Sequence, residues 1–362
     1  MEDIVSNWYK WKGNSQVSHK TPTMTDVAKA AGVSQSTVSL VLNGKAEQSI
    51  PEATQLKVLQ ACEMLGYQMN YLARALNRSE SGMIGMLADE LLTANFAGAI
   101  VSGAQDMSRE KGKILMLSTV DQQDDKIAQR AIDYLKGFRV ESIVYAAKYH
   151  HQITFPDSLK NVPTVLVNCY ESSNTIPCIL PDDYWGGYQA TKYLLDHGHR
   201  NIYYISSNLI DELTGEHIPA TPARVAGFMS AMQDYGLNPK EEECVSYVPI
   251  EWEGVVQEAT RLLQSPNRPT AILCYNDRMA LSVYSVASVM NIRIPEDLSV
   301  IGYDNQVEIT EFLYPRLTTV ELPHYEMGAR GIKYLETQKY PFEYEQYFIR
   351  PKLVIRQSVA SV

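Results

Sequence analysis

The stretch from Thr23 to Asn43, TMTDVAKAAGVSQSTVSLVLN, constrains this chain more than any other, because it spells two short helices joined by a tight turn. Val27, Ala28 and Ala31 recur at helical spacing, and Gly32 follows where a helix commonly stops in a left-handed residue that glycine adopts at little cost. Ser34 is a good N-cap for a second helix of about two turns. Val33 and Val38 stand at staple positions, and Asn43-Gly44 closes the segment. Val38, Val41 and Leu42 share one side of that helix, while Ser36, Ser39, Leu40 and Asn43 share the other and Gln35 sits at its N-terminal tip. A short helix that packs by one side and offers hydroxyl and amide groups on the other fits the major groove of B-DNA, where Gln and Ser pair with base edges. Ser34 to Leu42 therefore reads as a recognition helix.

A third helix follows. Pro51 can occupy its first turn, Val58, Ala61, Cys62 and Leu65 mark a buried stripe, and Gly66 ends it, so residues 23–69 make a three-helix head. Asn70 to Asn77 is short and weakly amphipathic, a helix marginal alone in water, and Ser79 to Gly82 looks like a linker. Residues 1–22 carry Trp8, Tyr9 and Trp11 beside Lys10 and Lys12, but read as a disordered extension without assigned function.

The net charge of −10 argues against a nucleic-acid partner until it is divided: residues 1–78 hold eight basic and six acidic side chains, +2, which leaves −12 on the remainder. The sign is that of a DNA-binding head on an acidic body, although +2 only permits the inference that the motif carries. At 362 residues the chain is too long for one core, and no apolar run approaches the roughly 18 residues a membrane helix needs. The first residues lack the apolar core of a secretory signal, and five cysteines without a CxxC pair suit reduced thiols; both point to the cytoplasm. No P-loop, GxSxG, HExxH or GxGxxG is present and the seven histidines show no ligand spacing, so no catalysis, metal or cofactor is expected. His197 and His199 flank Gly198 in a turn, where a structural role is expected.

From Met83 the pattern changes to short apolar runs with helices between them: Met83–Leu87, Ile114–Leu117, Ser142–Tyr145, Thr164–Val167, Ile202–Ile205, Ala271–Cys274 and Leu298–Ile301. Amphipathic stretches such as 98–111, 187–197, 224–235 and 279–290 alternate with them, which implies an α/β body of doubly wound parallel sheets. Ligands of such sheets bind beyond the carboxyl ends of the strands. Asn95, Phe96, Asp121, Asn168, Arg224, Asn276, Asp277 and Asp304 fall there, polar groups able to pair with hydroxyls, and Phe96 and Trp252 could stack on a sugar face. For any one Asn or Asp, capping the next helix is as good an explanation.

DVAKAAGVSQSTVSLVLNG resembles the head of the lactose-repressor (LacI/GalR) family of bacterial transcription regulators, whose pattern is close to DVA..AGVS..TVSRVLNG. PTVLVN, RVAGF, AILCYND and SVIGYDN resemble the family's body motifs, so the resemblance runs from about Thr23 to the end. It implies a repressor that binds a palindromic operator as a homodimer. A small-molecule effector, a sugar or sugar derivative, would control it from a cleft between two lobes like those of periplasmic sugar-binding proteins. The matching effector residues are Asn168, Arg224, Asn276 and Asp304; Asn95 and Phe96 occupy the first effector loop, and Trp252 lies near the cleft aromatic. Residues 70–82 match the hinge, with Leu76 at the leucine that wedges into the minor groove and Ala73 at the small residue between paired hinge helices. The lobes would be 83–180 with 321–342 and 181–320 with 343–362, the chain crossing near Leu180, Val320 and Phe342. Ser34, Thr37, Asn43 and Thr54 would hold phosphate, Gln35, Ser36 and Leu40 are the candidates for reading bases, and Thr25 and Ser39 are further DNA-binding candidates. Leu40 departs from the family's usual arginine: leucine cannot donate to guanine and would meet a thymine methyl instead. The competing class is a sugar sensor or transport-type binding protein with the same body, which predicts a signal peptide and no helical head. The last residues, after PKLVIRQSV, carry no leucine heptad for a tetramer.

Overall fold

A computed structural model describes residues 22–42, 46, 49–68, 81–89, 98–120, 125–210, 215 and 217–362. The chain divides into two compact units, Met1–Asn77 and Arg78–Val362. The extension 1–21, the hinge with Ala73 and Leu76, and Asn43, Asn95, Phe96 and Asp121 lie outside the described residues.

The first unit holds α1 (Met24–Ala31), α2 (Gln35–Leu42) and α3 (Glu52–Leu65). Thr23 opens α1 with a reciprocal capping box: its hydroxyl oxygen accepts from the Asp26 N–H at 3.3 Å, and the Asp26 carboxylate accepts from the Thr23 N–H at 2.8 Å. Gly32, at φ 68°, closes it. Val27, Ala28, Val38, Val58 and Ala61 form the core, with Val33, Val41, Leu42 and Cys62 packed around them. Leu65 is not part of this stripe; the last turn of α3 leaves it 36% exposed just before Gly66.

The second unit runs β1 (Met83–Asp89), α4 (Gly98–Glu110), β2 (Ile114–Val120), α5 (Asp125–Gly137), β3 (Ser142–Ile153), β4 (Thr164–Glu171) and β5 (Cys178–Pro181). It continues with α6 (Asp183–Asp196), β6 (Ile202–Ser207), α7 (Ala220–Asp234), α8 (Glu241–Cys244), β7 (Val245–Val248), α9 (Trp252–Gln264), β8 (Ala271–Cys274), α10 (Asp277–Val289), β9 (Ser299–Tyr303), α11 (Val307–Thr310) and β10 (Thr318–Glu321). It ends with α12 (His324–Thr337), β11 (Gln346–Ile349) and β12 (Lys352–Val354). Two six-stranded sheets result, in the orders β11-β5-β4-β3-β1-β2 and β12-β10-β9-β8-β6-β7. Every pairing is parallel except β10 with β12. Each sheet carries apolar layers on both faces, which is why β1, β8 and β9 are buried at every position.

The chain leaves the first sheet after Pro181, returns after Glu321 and leaves again between Ile349 and Lys352. The third crossing thus comes later than Phe342: Gln346–Ile349 first extends the β5 edge in register with Cys178–Pro181, and Phe342 itself packs on the first lobe's core.

Two close helix crossings lie within the helical layers. A Cβ on Gly187 would run into the Arg224 carbonyl, and one on Gly227 into the carbonyl of Tyr184, so α6 and α7 touch backbone to backbone. Gly103 and Gly328 do the same for α4 and α12 in the other lobe.

Candidate functional site

In both sheets the first strand lies between the second and third, so the connections diverge between β1 and β3 and between β6 and β8. A crevice beyond the carboxyl ends opens at such points. The described residues converge there on Arg224. Its side chain, 4% exposed, is drawn from α7 toward α6 by the glycine crossing. Nε donates to Asp183 Oδ1 at 2.8 Å and Nη1 to the Tyr275 carbonyl at 2.8 Å. The guanidinium stacks 3.6 Å from the centre of the Tyr303 ring and 4.5 Å from that of Tyr275.

Asp183 joins the lobes. Its other oxygen, Oδ2, lies 3.2 Å from Nδ1 of His150 on β3, a strand of the first sheet. Burial works to raise this carboxyl, but Arg224 and His150 outweigh it and hold it below the ordinary range. His324, at the second crossing, is 4% exposed; burial pushes its ring down to about 4, Asp183 opposing and Arg224 assisting. Asp304 follows Tyr303 in a left-handed conformation, φ 98°, and accepts from Gln306 Nε2 at 3.3 Å. Burial raises its carboxyl to about 6 against the pull of Arg224.

The other expected residues have more local partners. Asn168 sits in β4 at φ 59°, where pairing with β3 shifts register, and its amide donates to the carbonyls of Ala147 at 3.1 Å and Lys148 at 3.0 Å. It holds the bulge together. Asn276 is the N-cap of α10, its oxygen accepting from Met279 N–H at 2.9 Å. Asp277 is fully buried, held by the Thr319 hydroxyl at 2.6 Å and the Gln306 N–H at 2.7 Å. Trp252 begins α9 with 52% of its surface exposed. Asp183, His150, Tyr275, Tyr303 and His324 escaped the sequence reading. A signal existed for the tyrosines: Tyr275-Asn276-Asp277 and Tyr303-Asp304-Asn305 repeat one pattern after two neighbouring strands.

In the head, Ser34 caps α2 by accepting from Thr37 N–H at 3.1 Å, and the two hydroxyls bond each other at 2.9 Å. Thr25, Ser34, Gln35 and Ser36 are exposed, Thr37, Ser39 and Thr54 half-buried, and Leu40 is 38% exposed on the outer side of α2. The inner side, by contrast, places Val38 at 0%.

A capped helix-turn-helix unit with a two-lobed, doubly wound body defines a ligand-responsive DNA-binding regulator. Residues 23–70 match the model of bacterial regulatory proteins of the lacI family, and residues 191–359 match a periplasmic binding protein-like domain. The HTH-type transcriptional repressor PurR of Vibrio parahaemolyticus is 32% identical over 93% of this chain and 98% of its own. A LacI-family transcriptional regulator from Rhizobium etli superposes with a TM-score of 0.68 at 30% identity, covering 77% of this chain and 99% of that one. The transcriptional regulator CelR in complex with cellobiose gives 0.61 at 26%, covering 93% and 99%. The chain belongs to the lacI family of bacterial regulatory proteins.

Proposed function

We propose that the protein is a cytoplasmic repressor that binds a palindromic operator as a homodimer and is switched by a carbohydrate or carbohydrate derivative in the crevice around Arg224. The observation that carries this reading is the Arg224–Asp183–His150 chain, which ties α7 and α6 of one lobe to a strand of the other at the strands' carboxyl ends. A ligand that changes this contact changes the relative stability of two lobe arrangements, which is what an effector must do. Asp304, Asn276 and Arg224 would pair with its hydroxyls and Trp252 would cover an apolar face; CelR, a relative in fold, binds cellobiose. Gln35, Ser36, Ser39 and Leu40 would read bases, and Thr25, Ser34, Thr37 and Thr54 would hold backbone. One short helix reads too few base pairs for specificity, so two heads on a two-fold axis are required.

The test is selection of retained duplexes from a random pool, with and without a panel of sugars. A palindrome of roughly 14–20 base pairs, with retention altered by one sugar, is the expected result. Sugar binding without any enriched duplex at moderate salt would replace this reading with that of a sensor or transport-type binding protein.

A further inference from the structure

The charge around Arg224 is already spoken for. Its Nε–H is directed at Asp183 at 2.8 Å, and the pair is buried, each side chain 5% exposed or less. A guanidinium free of a counterion would attract a phosphate or carboxylate; one held this way offers donors but little net charge. Among the described residues nothing accepts from its Nη2, so that nitrogen can still meet a neutral oxygen. Asp304 then adds a carboxylate next to the pair. At the first sheet's switch point Asp89 ends β1, 5% exposed, with His151 Nε2 3.9 Å away. Among the described residues, Arg278 is exposed and acts on Asp304, and the Lys148 ammonium lies 4.8 Å over the Tyr149 ring.

We propose that Asp183, by neutralising Arg224, sets the charge class of the effector: the site selects an uncharged, hydroxyl-bearing ligand over the phosphorylated form of the same ligand. A hydroxyl donates to Asp304 and accepts from Arg224 Nη2 at once, as an ionised phosphate group in its place cannot. A phosphate brought within about 5–6 Å of Asp304 and Asp183 meets like charge in a partly desolvated crevice, where each unit interaction is worth several-fold to a hundredfold in affinity. Asp183 acts through Arg224 and is a positioning residue for specificity. The inference rests on the crevice being the effector site.

The experiment uses the full chain with matched probes: glucose, ribose and inosine against glucose 6-phosphate, ribose 5-phosphate and inosine 5′-monophosphate, by thermal shift and then calorimetry. The expected result is binding by an uncharged member, with its phosphate ester about 100-fold weaker or worse. Asp183→Asn, nearly isosteric, should narrow that ratio by about tenfold or more, and Asp304→Asn should narrow it independently. A purely structural role would weaken both members of a pair alike and leave the ratio unchanged, which would overturn the assignment to Asp183. Tighter binding of an ester, or no binding by any uncharged probe, would overturn the charge class itself. Operator retention measured in parallel keeps the two readings apart. An ester that alters retention leaves the regulator intact and the class wrong; an uncharged ligand that binds without altering retention does the reverse.

Discussion

Asp304 and His324 bear on the same crevice with opposite consequences for stability. The Asp304 carboxyl rises from 3.8 to about 6, so between these values the folded chain holds a proton that the unfolded chain has lost. Its contribution is greatest below the unfolded value and falls as pH rises through about 6. The His324 ring drops from 6.5 to about 4, so the unfolded chain binds the proton first, and stability present above 6.5 is lost as pH falls toward 4. The two slopes oppose each other across nearly the same window. Asp304→Asn removes one of them. Its urea midpoint should rise more steeply with pH between 4.5 and 6.5 than the wild type's, and at pH 7.5 the variant should be about 1–2 kcal/mol more stable after allowance for solvent screening. Equal slopes for the two proteins would mean that Asp304 does not titrate in this range. The proposed effector role of Asp304 predicts a functional pH dependence. An ionised Asp304 would accept from a ligand hydroxyl, so affinity for an uncharged effector should weaken as pH drops below about 6.

At the scale of elements, the site depends on helices that touch without side chains between them. Gly187→Ala puts a methyl group against the Arg224 carbonyl, and α7 must move or tilt to admit it. Overpacking of this kind costs about 1–3 kcal/mol, and the displacement acts on the backbone that carries Arg224. Effector affinity should therefore fall more than tenfold, while Gly103→Ala, at the equivalent crossing of the other lobe, should cost similar stability with a smaller loss of affinity. Urea titration and calorimetry on the same samples distinguish the two effects. In the head, Ser34→Ala removes the α2 cap and should cost about 1 kcal/mol, lowering operator affinity without changing its base preference. Leu40→Arg should instead change the preferred base at one position, and identical preferences in the two proteins would remove Leu40 from the reading face. Much of this was legible in the sequence. The head announces itself through Gly32, Ser34 and the valines, and the sheets through apolar runs whose spacing only parallel strands satisfy. The placement of the candidate residues was legible in part: Asp304 directly follows β9, as a residue beyond a strand end should, whereas Arg224 lies inside α7, well past the end of β6 at Ser207. Asp183 was not, since a carboxylate after a strand reads as a cap, and here Asp182 does the capping while Asp183 turns inward. Nor was the role of Asn168, which depends on a register shift that no local pattern marks.

Across the whole molecule, the two units carry charge of opposite sign: residues 1–77 sum to +1 and residues 78–362 to −11. An acidic body adds nothing to DNA attraction, so operator affinity must come from the few contacts of paired heads and should fall steeply with salt, by a slope near 0.9 per phosphate neutralised. An effector that favours one lobe arrangement by about 1–3 kcal/mol changes operator occupancy by roughly 5- to 150-fold, and linkage requires the operator to change effector affinity by the same factor. The requirement is testable in both directions on one preparation: effector affinity by calorimetry with and without saturating operator, and operator affinity by anisotropy with and without effector. Arg224→Ala removes the side chain that bonds Asp183 and the Tyr275 carbonyl and that is proposed to meet the effector. It should abolish the effector's influence in both titrations while leaving unliganded operator binding within a few-fold of wild type. Loss of operator binding without any effector would instead place Arg224 in the stability of the body, and unequal coupling factors in the wild type would mean that a third state, such as separated protomers, is populated during one of the titrations.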